Sequence, residues 1–193
     1  MSIIAAIDYS INSPAICVYN TSQEFCFENC YFYLNQEKIS KKEQKQRNNL
    51  NLQNINWSIR PSYNSNIERY SILADWAMSI IVTHNVEVIA LEDYSLHAKG
   101  KIFNIAEATG ILKHYLFTLG IQVYTFPPSQ NKKIFSGKGN ANKALMIDTF
   151  NQIHGINIAE QLGHKKDFTG SPVSDIVDSY SLINTFLKER TML

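Results

Sequence analysis

Four carboxylates, Asp8, Glu92, Asp175 and Asp178, stand where their type and spacing could do chemistry. Asp8 closes the segment IIAAID and Glu92 closes VEVIALE, two apolar runs that read as buried strands. Asp175 and Asp178 are three residues apart in SPVSDIVDSYSL, which puts both on one face of a helix. A buried carboxylate without a partner is costly. Two acids roughly 5–6 Å apart on a helix repel unless a cation lies between them. Acids gathered in this way suit a preassembled site for hard divalent cations, which take carboxylate and water oxygens and need no His or Cys. The matching chemistry is metal-dependent phosphodiester cleavage. Each acid has an ordinary reading as well: a turn-forming Asp8, a strand-end Glu92, and first-turn acids on a helix dipole, which covers Asp175 better than Asp178. Asp93 points to the opposite face of its strand from Glu92 and is assigned to a helix terminus or water.

The net charge of +1 says little, but its distribution says more. Lys132, Lys133, Lys138 and Lys143 fall in one stretch without an acid, and Lys38, Lys41, Lys42, Lys45 and Arg47 face only Glu43. An acidic centre in basic surroundings suits a polyanion bridged by metal ions, although either run alone also reads as a solvated face. In FSGKGNANK the glycines let backbone amides approach a phosphate, Asn140 is placed to cap a helix, and Lys138 and Lys143 supply charge. The segment lacks the spacing of a Walker loop. Tyr94, His97, Lys99 and Lys101, with Gly100 between the lysines, suit a loop that stacks on bases and holds phosphates.

The elements that must position these groups follow from the apolar pattern. Residues 3–7, 15–19, 24–34, 86–91 and 121–126 read as strands. Residues 67–84, 102–119, 140–153 and 173–187 read as helices, with Gly120 ending the second and Ser171-Pro172 opening the last. Residues 155–170 read as irregular. Residues 35–66 are polar, rich in Asn, Gln and Lys, and read as an insertion or mobile loop within one domain spanning 1–193. Strands first and then alternating helix and strand give an α/β fold with a mixed sheet. Ala106, Ala108 and Gly110 thin one side of the second helix, for packing on the chain's own sheet or across a dimer. At 45% hydrophobic residues the chain can bury a core, and no apolar run reaches the ~20 residues of a membrane span. The start of the chain reads directly as a strand, so the expectation is a cytoplasmic protein of a bacterium or an infected host cell, not a secreted one. Cys17, Cys26 and Cys30 lack metal or redox spacing and read as reduced.

In their order along the chain, IDYS, LEDYS, AEATG, PPSQNKKIFSGKGNANKALM and SDIVDSYSL resemble the RuvC-type Holliday-junction resolvases of the RNase H-like superfamily, in wording nearest the phage or viral branch. The resemblance implies a mixed five-stranded sheet flanked by helices, working as a homodimer on branched DNA such as four-way junctions. It implies catalytic, metal-holding roles for Asp8, Glu92, Asp175 and Asp178. Two Mg2+ ions, roughly 3.5–4 Å apart and replaceable by Mn2+, would lie between them. Asp8 would bridge both ions, Glu92 and Asp175 would complete the two spheres, and Asp178 would hold a metal or the attacking water. Cleavage would leave a 5′-phosphate and a 3′-hydroxyl. Lys132 and Lys143 match the family's phosphate-contacting lysines, with Lys133 a near-register alternative, and Tyr94 lies one position from its aromatic wedge. Ser10 stands where the family carries glycine, and residues 35–66 have no counterpart. Rival readings are a related nuclease acting on RNA, hybrids or flaps, a non-catalytic nucleic-acid scaffold, and an actin-like nucleotide-binding domain.

Overall fold

The opening apolar run forms β1 (Ile3–Asp8), in which Ile4, Ala5, Ala6 and Ile7 are all buried. Such a strand is covered on both faces and has no need of polar alternation. The computed structural model describes residues 2–38, 52–93 and 102–191. In these, β1 is followed by β2 (Ala15–Asn20), β3 (Cys30–Gln36), β4 (Ile55–Ile59), α1 (Asn66–Thr83), β5 (Val88–Glu92), α2 (Ile102–Thr118), β6 (Gln122–Phe126), α3 (Pro128–Ser136), α4 (Lys143–His154), α5 (Ile158–Gln161) and α6 (Val173–Thr191). The strands form one mixed sheet in the order β4-β3-β2-β1-β5-β6. β2 is antiparallel to β1 and β3, whereas β4 runs parallel to β3, and β5 parallel to β1 and β6.

Residue parity divides the core between the two faces. Ile4, Ala6, Val88 and Ala90 face a cluster that includes Phe135, Phe150, Val177, Tyr180 and Phe186 from α3, α4 and α6. Ala5, Ile7, Ile89 and Leu91 face Tyr70, Leu73, Ala77, Ile81, Leu112 and Leu116 from α1 and α2. The result is a three-layer α/β/α domain.

The sheet has six strands rather than five. The added strand, β4, lies within the stretch 35–66 expected to be an excursion. Only its Ile55 is buried, so its apolar signal is weak, and its place is fixed by parallel pairing with β3. β3 itself begins at Cys30, not near residue 24, and runs on to Gln36. The preceding bend is held by Asn54, whose Nδ2 donates to the carbonyls of Phe27 at 2.9 Å and Cys30 at 3.1 Å. α3 follows Pro127-Pro128 directly, with proline in its first turn and Gly137 at φ 80° as its C-terminal cap. α4 starts at Lys143 rather than at Asn140. Its cap is Asn142, which accepts from the Leu145 amide at 2.9 Å. Part of the stretch expected to be irregular forms α5, one short turn of helix.

α6 is the most deeply packed helix of the site. It buries Val173, Ile176, Val177, Tyr180, Ile183 and Phe186, together with Ser174, Ser179, Ser181 and Thr185. Asn131 of α3, itself buried, donates to Ser181 Oγ and accepts from Thr185 Oγ1, both at 2.8 Å, and so ties the two helices together. All three cysteines are free thiols. No helix among the described residues is long and apolar enough to cross a membrane.

Candidate active site

The parallel register of β1 and β5 brings the first two acids together. Ile4 pairs with Val88, Ala6 with Ala90 and Ile7 with Leu91, so Asp8 ends its strand beside the end that carries Glu92. Both continue the parity that faces α6. The first turns of α6 carry Asp175 and Asp178 toward the same end of the sheet. The Asp93 amide continues the pairing to Phe126 of β6 at 2.9 Å.

Crowding of the acids is visible in their proton affinities. Burial holds the Asp8 carboxyl well above the usual carboxylate range, and the charges of Glu92, Asp178 and Asp175 push it further, against the pull of Lys143. Glu92 is pushed up to about 7, by burial first and then by Asp178, with Lys132 opposing. Burial lifts Asp178 to about 6 against Lys143, with Asp175 adding to the rise and Lys132 reducing it. Asp175 is buried, and its carboxylate accepts hydrogen bonds from Ser171 Oγ and from Ser174 Oγ.

Two lysines reach this centre. Lys132, half-buried on α3, acts on Glu92 and Asp178, while Lys143 at the start of α4 acts on Asp8 and Asp178. Lys143 Nζ also donates at 3.1 Å to Ser174 Oγ, the same hydroxyl that donates to Asp175. Lys133 and Lys138 are exposed, and neither is among the charges acting on the acids. A cleft of about 380 Å³ opens here, lined by Asp8, Asp175, Asp178 and Lys143. The cleft's other wall is the turn Ser10–Ser13 with Arg69 and Asn104. Of these the sequence pointed only to Ser10, as a departure from the family's glycine, and the rest of the turn had no signal beyond its position after Asp8.

The family model for crossover junction endodeoxyribonuclease RuvC matches residues 38–162. The chain belongs to the RuvC family. The matched span holds Glu92, Lys132 and Lys143, whereas Asp8 and the α6 acids lie outside it. A RuvC crossover junction endodeoxyribonuclease from Synechococcus sp. (strain CC9311) is 27% identical over 81 residues, 42% of this chain and 51% of the relative. The match thus spans about half the length of that relative. The fold is similar to Thermus thermophilus RuvC, solved in complex with a Holliday junction substrate, at a TM-score of 0.62 and 16% identity over 99% of this chain and 98% of that one. It is also similar to the yeast mitochondrial Holliday junction resolvase, at a TM-score of 0.52 and 12% identity over 97% of this chain and 78% of that one. Both likenesses cover nearly all of this chain, so they extend over the RuvC-matched span, β1 and α6 alike.

The RuvC family implies a divalent metal, and the donors here fit one in kind: hard carboxylate oxygens that repel one another in a shared cleft. Among the described residues no three acids, cysteines or histidines stand together at ligand spacing. Two serine hydroxyls, Ser171 just before α6 and Ser174 within it, occupy the Asp175 carboxylate. Tyr94, His97, Lys99 and Lys101 lie outside the described residues, as does most of the basic run 38–47.

Proposed function

We propose that this chain is a structure-specific endonuclease that cuts four-way DNA junctions by metal-dependent phosphodiester hydrolysis. The observation that carries the reading is the meeting of Asp8, Glu92 and Asp178 beside Lys132 and Lys143, in a chain of the RuvC family. Asp8, Glu92, Asp178 and, once released from its serines, Asp175 would hold Mg2+, two ions in this reading, with Mn2+ as a substitute. When bound, such ions neutralise the phosphate's charge and make water a nucleophile near neutral pH. The chain's own part is electrostatic. Four acids against two lysines leave the centre short of positive charge until cations arrive, and Lys132 and Lys143 hold the phosphates that enter with them. Branched DNA is the partner in this reading, and the cytoplasm of a bacterium or infected cell is the compartment.

Symmetric cutting of a four-way junction calls for two sites, and α2 offers a self-complementary face. Phe103 and Phe117 are 77% and 81% exposed, and each lies seven residues from Gly110 on one stripe of the helix. A Cβ at Gly110 would meet nothing within 4 Å. A twofold axis at Gly110 would bring the first phenylalanine of one copy against the second of the other, which is the isologous arrangement of a homodimer.

The test is a panel of four-way, flap, hybrid and single-stranded substrates with Mg2+, using wild type and Asp8→Asn. Paired symmetric nicks in the junction by wild type, and binding without cutting by the variant, are the expected result. Nicking by Asp8→Asn at the wild-type rate would refute the assignment, and preferred cleavage of RNA, hybrids or flaps would replace the substrate.

A further inference from the structure

The cleft wall that follows Asp8 is built on two arginines. Arg60 is 3% exposed, and all its side-chain nitrogens serve the scaffold. Nε donates to Asn35 Oδ1 at 2.9 Å, Nη1 to the Ile11 carbonyl at 2.8 Å and Nη2 to the Asn12 carbonyl at 3.0 Å. Arg69 of α1 is bound to the same turn by one nitrogen alone, with Nη2 donating to the Ile11 carbonyl at 3.0 Å and to Asn12 Oδ1 at 2.9 Å. Its Nε is buried without a partner among the described residues, and its Nη1 makes no hydrogen bond there. Its one ion pair among the described residues, to Glu37 at 3.6 Å, involves a side chain that is 46% exposed and is therefore weak. The Tyr63 ring, 5.1 Å from the guanidinium carbon, helps to hold the side chain in place.

Arg69 also lines the cleft, together with Asp8, Ser10, Asn104 and Lys143. Two guanidiniums against one half-exposed acid leave this wall positive. A guanidinium pinned on one side, with Nη1 left over, is preorganised to donate to a phosphate oxygen. Arg69 enters the cleft from α1, on the wall formed by the turn Ser10–Ser13, whereas Lys143 lines it from the start of α4. The two cations approach a bound strand from different elements, which leaves Arg69 a phosphate other than the one Lys143 meets at the acids.

We propose that Arg69 contacts the substrate directly, holding a backbone phosphate that flanks the scissile one, while Arg60 acts as a positioning residue that fixes the turn to which Arg69 is pinned. This rests on the nuclease reading above.

The test uses the full chain and junctions carrying a single neutral methylphosphonate at each phosphate flanking the cut, read by single-turnover cleavage. Wild type should lose about 10- to 100-fold at one flanking position, the scale of a lost charged hydrogen bond. Arg69→Gln should lose a similar factor on unmodified DNA and nothing further at that position, while melting temperature and Mg2+ affinity hold. Arg69→Lys should retain the sensitive position, because the charge remains. Arg69→Gln cutting at the wild-type rate, or losing the same extra factor at every position, overturns the contact. Should Arg69→Gln fail to fold, a wild-type scan with no sensitive flanking phosphate overturns it equally. A wild type that cuts no junction at all sinks the nuclease reading instead, and that outcome is visible before any variant is made.

Discussion

Glu92→Gln should make the metal-free protein more stable, although Glu92 belongs to the proposed catalytic centre. Its carboxyl is raised from 4.5 to about 7 in the fold, chiefly by burial and by Asp178. A raised value means that the folded state holds a proton which the unfolded state gives up at lower pH. The native state is therefore unpenalised below about 4.5 and loses stability as pH climbs through about 7. At about 1.4 kcal/mol per pH unit the full penalty is about 3.5 kcal/mol. Partial solvent access and proton sharing with Asp8 and Asp178 reduce this to about 1–2 kcal/mol. For a chain of this size that corresponds to about 3–6 °C in melting temperature. The assay is thermal unfolding in EDTA from pH 5 to pH 8.5, followed by the same series with Mg2+. Wild type should lose stability as pH rises, Glu92→Gln should show a flatter profile, and the gap between them should narrow as pH falls toward 5. Mg2+ should stabilise wild type more than the variant. An equal or lower melting temperature for Glu92→Gln at pH 8 without metal, with an unchanged pH slope, would refute the idea that these carboxylates repel one another.

Lys143→Gln removes a cation that lowers both Asp8 and Asp178. Both acids then titrate at higher pH, so cleavage should fall more at pH 6 than at pH 8, by roughly fivefold, in a pH–rate profile; a uniform loss across pH would refute this. Replacing Phe103 and Phe117 together with aspartate should convert a homodimer to a monomer in sedimentation at micromolar concentration, and an unchanged sedimentation coefficient would exclude α2 as the interface.

Asp8 and Glu92 were legible because each ends an apolar run, and parallel pairing of two buried strands leaves little freedom in where such ends meet. Asp178 was legible because an acid three residues after another, in a half that must be buried, is poorly explained by a helix dipole. β4 was not legible: Asn56 and Ser58 give no apolar alternation, and the pairing that defines the strand comes from β3, far away in sequence. α3 was hidden by Pro127-Pro128, which reads as a stop although proline is tolerated in a helix's first turn. Asn140 satisfies the local rule for a cap as well as Asn142 does, and only the position of α4 decides between them. Arg60 gave no signal at all. Two of its partners are main-chain carbonyls 48 and 49 residues away, which every residue carries alike, and the third is the Asn35 side chain 25 residues away.

Asp8 comes from the first strand of the described chain, Glu92 from β5, and Asp175 and Asp178 from the last helix, which has a consequence for the order of events during synthesis. Asp8 leaves the ribosome early, and Asp175 and Asp178 follow roughly 10–30 s later at ordinary elongation rates. Until α6 docks on β1 and β2, a nascent chain carries only part of the proposed site. If that site is the nuclease centre, the chain is kept from acting on nucleic acid while it is being made, and a message broken before the α6 codons yields a protein without that activity.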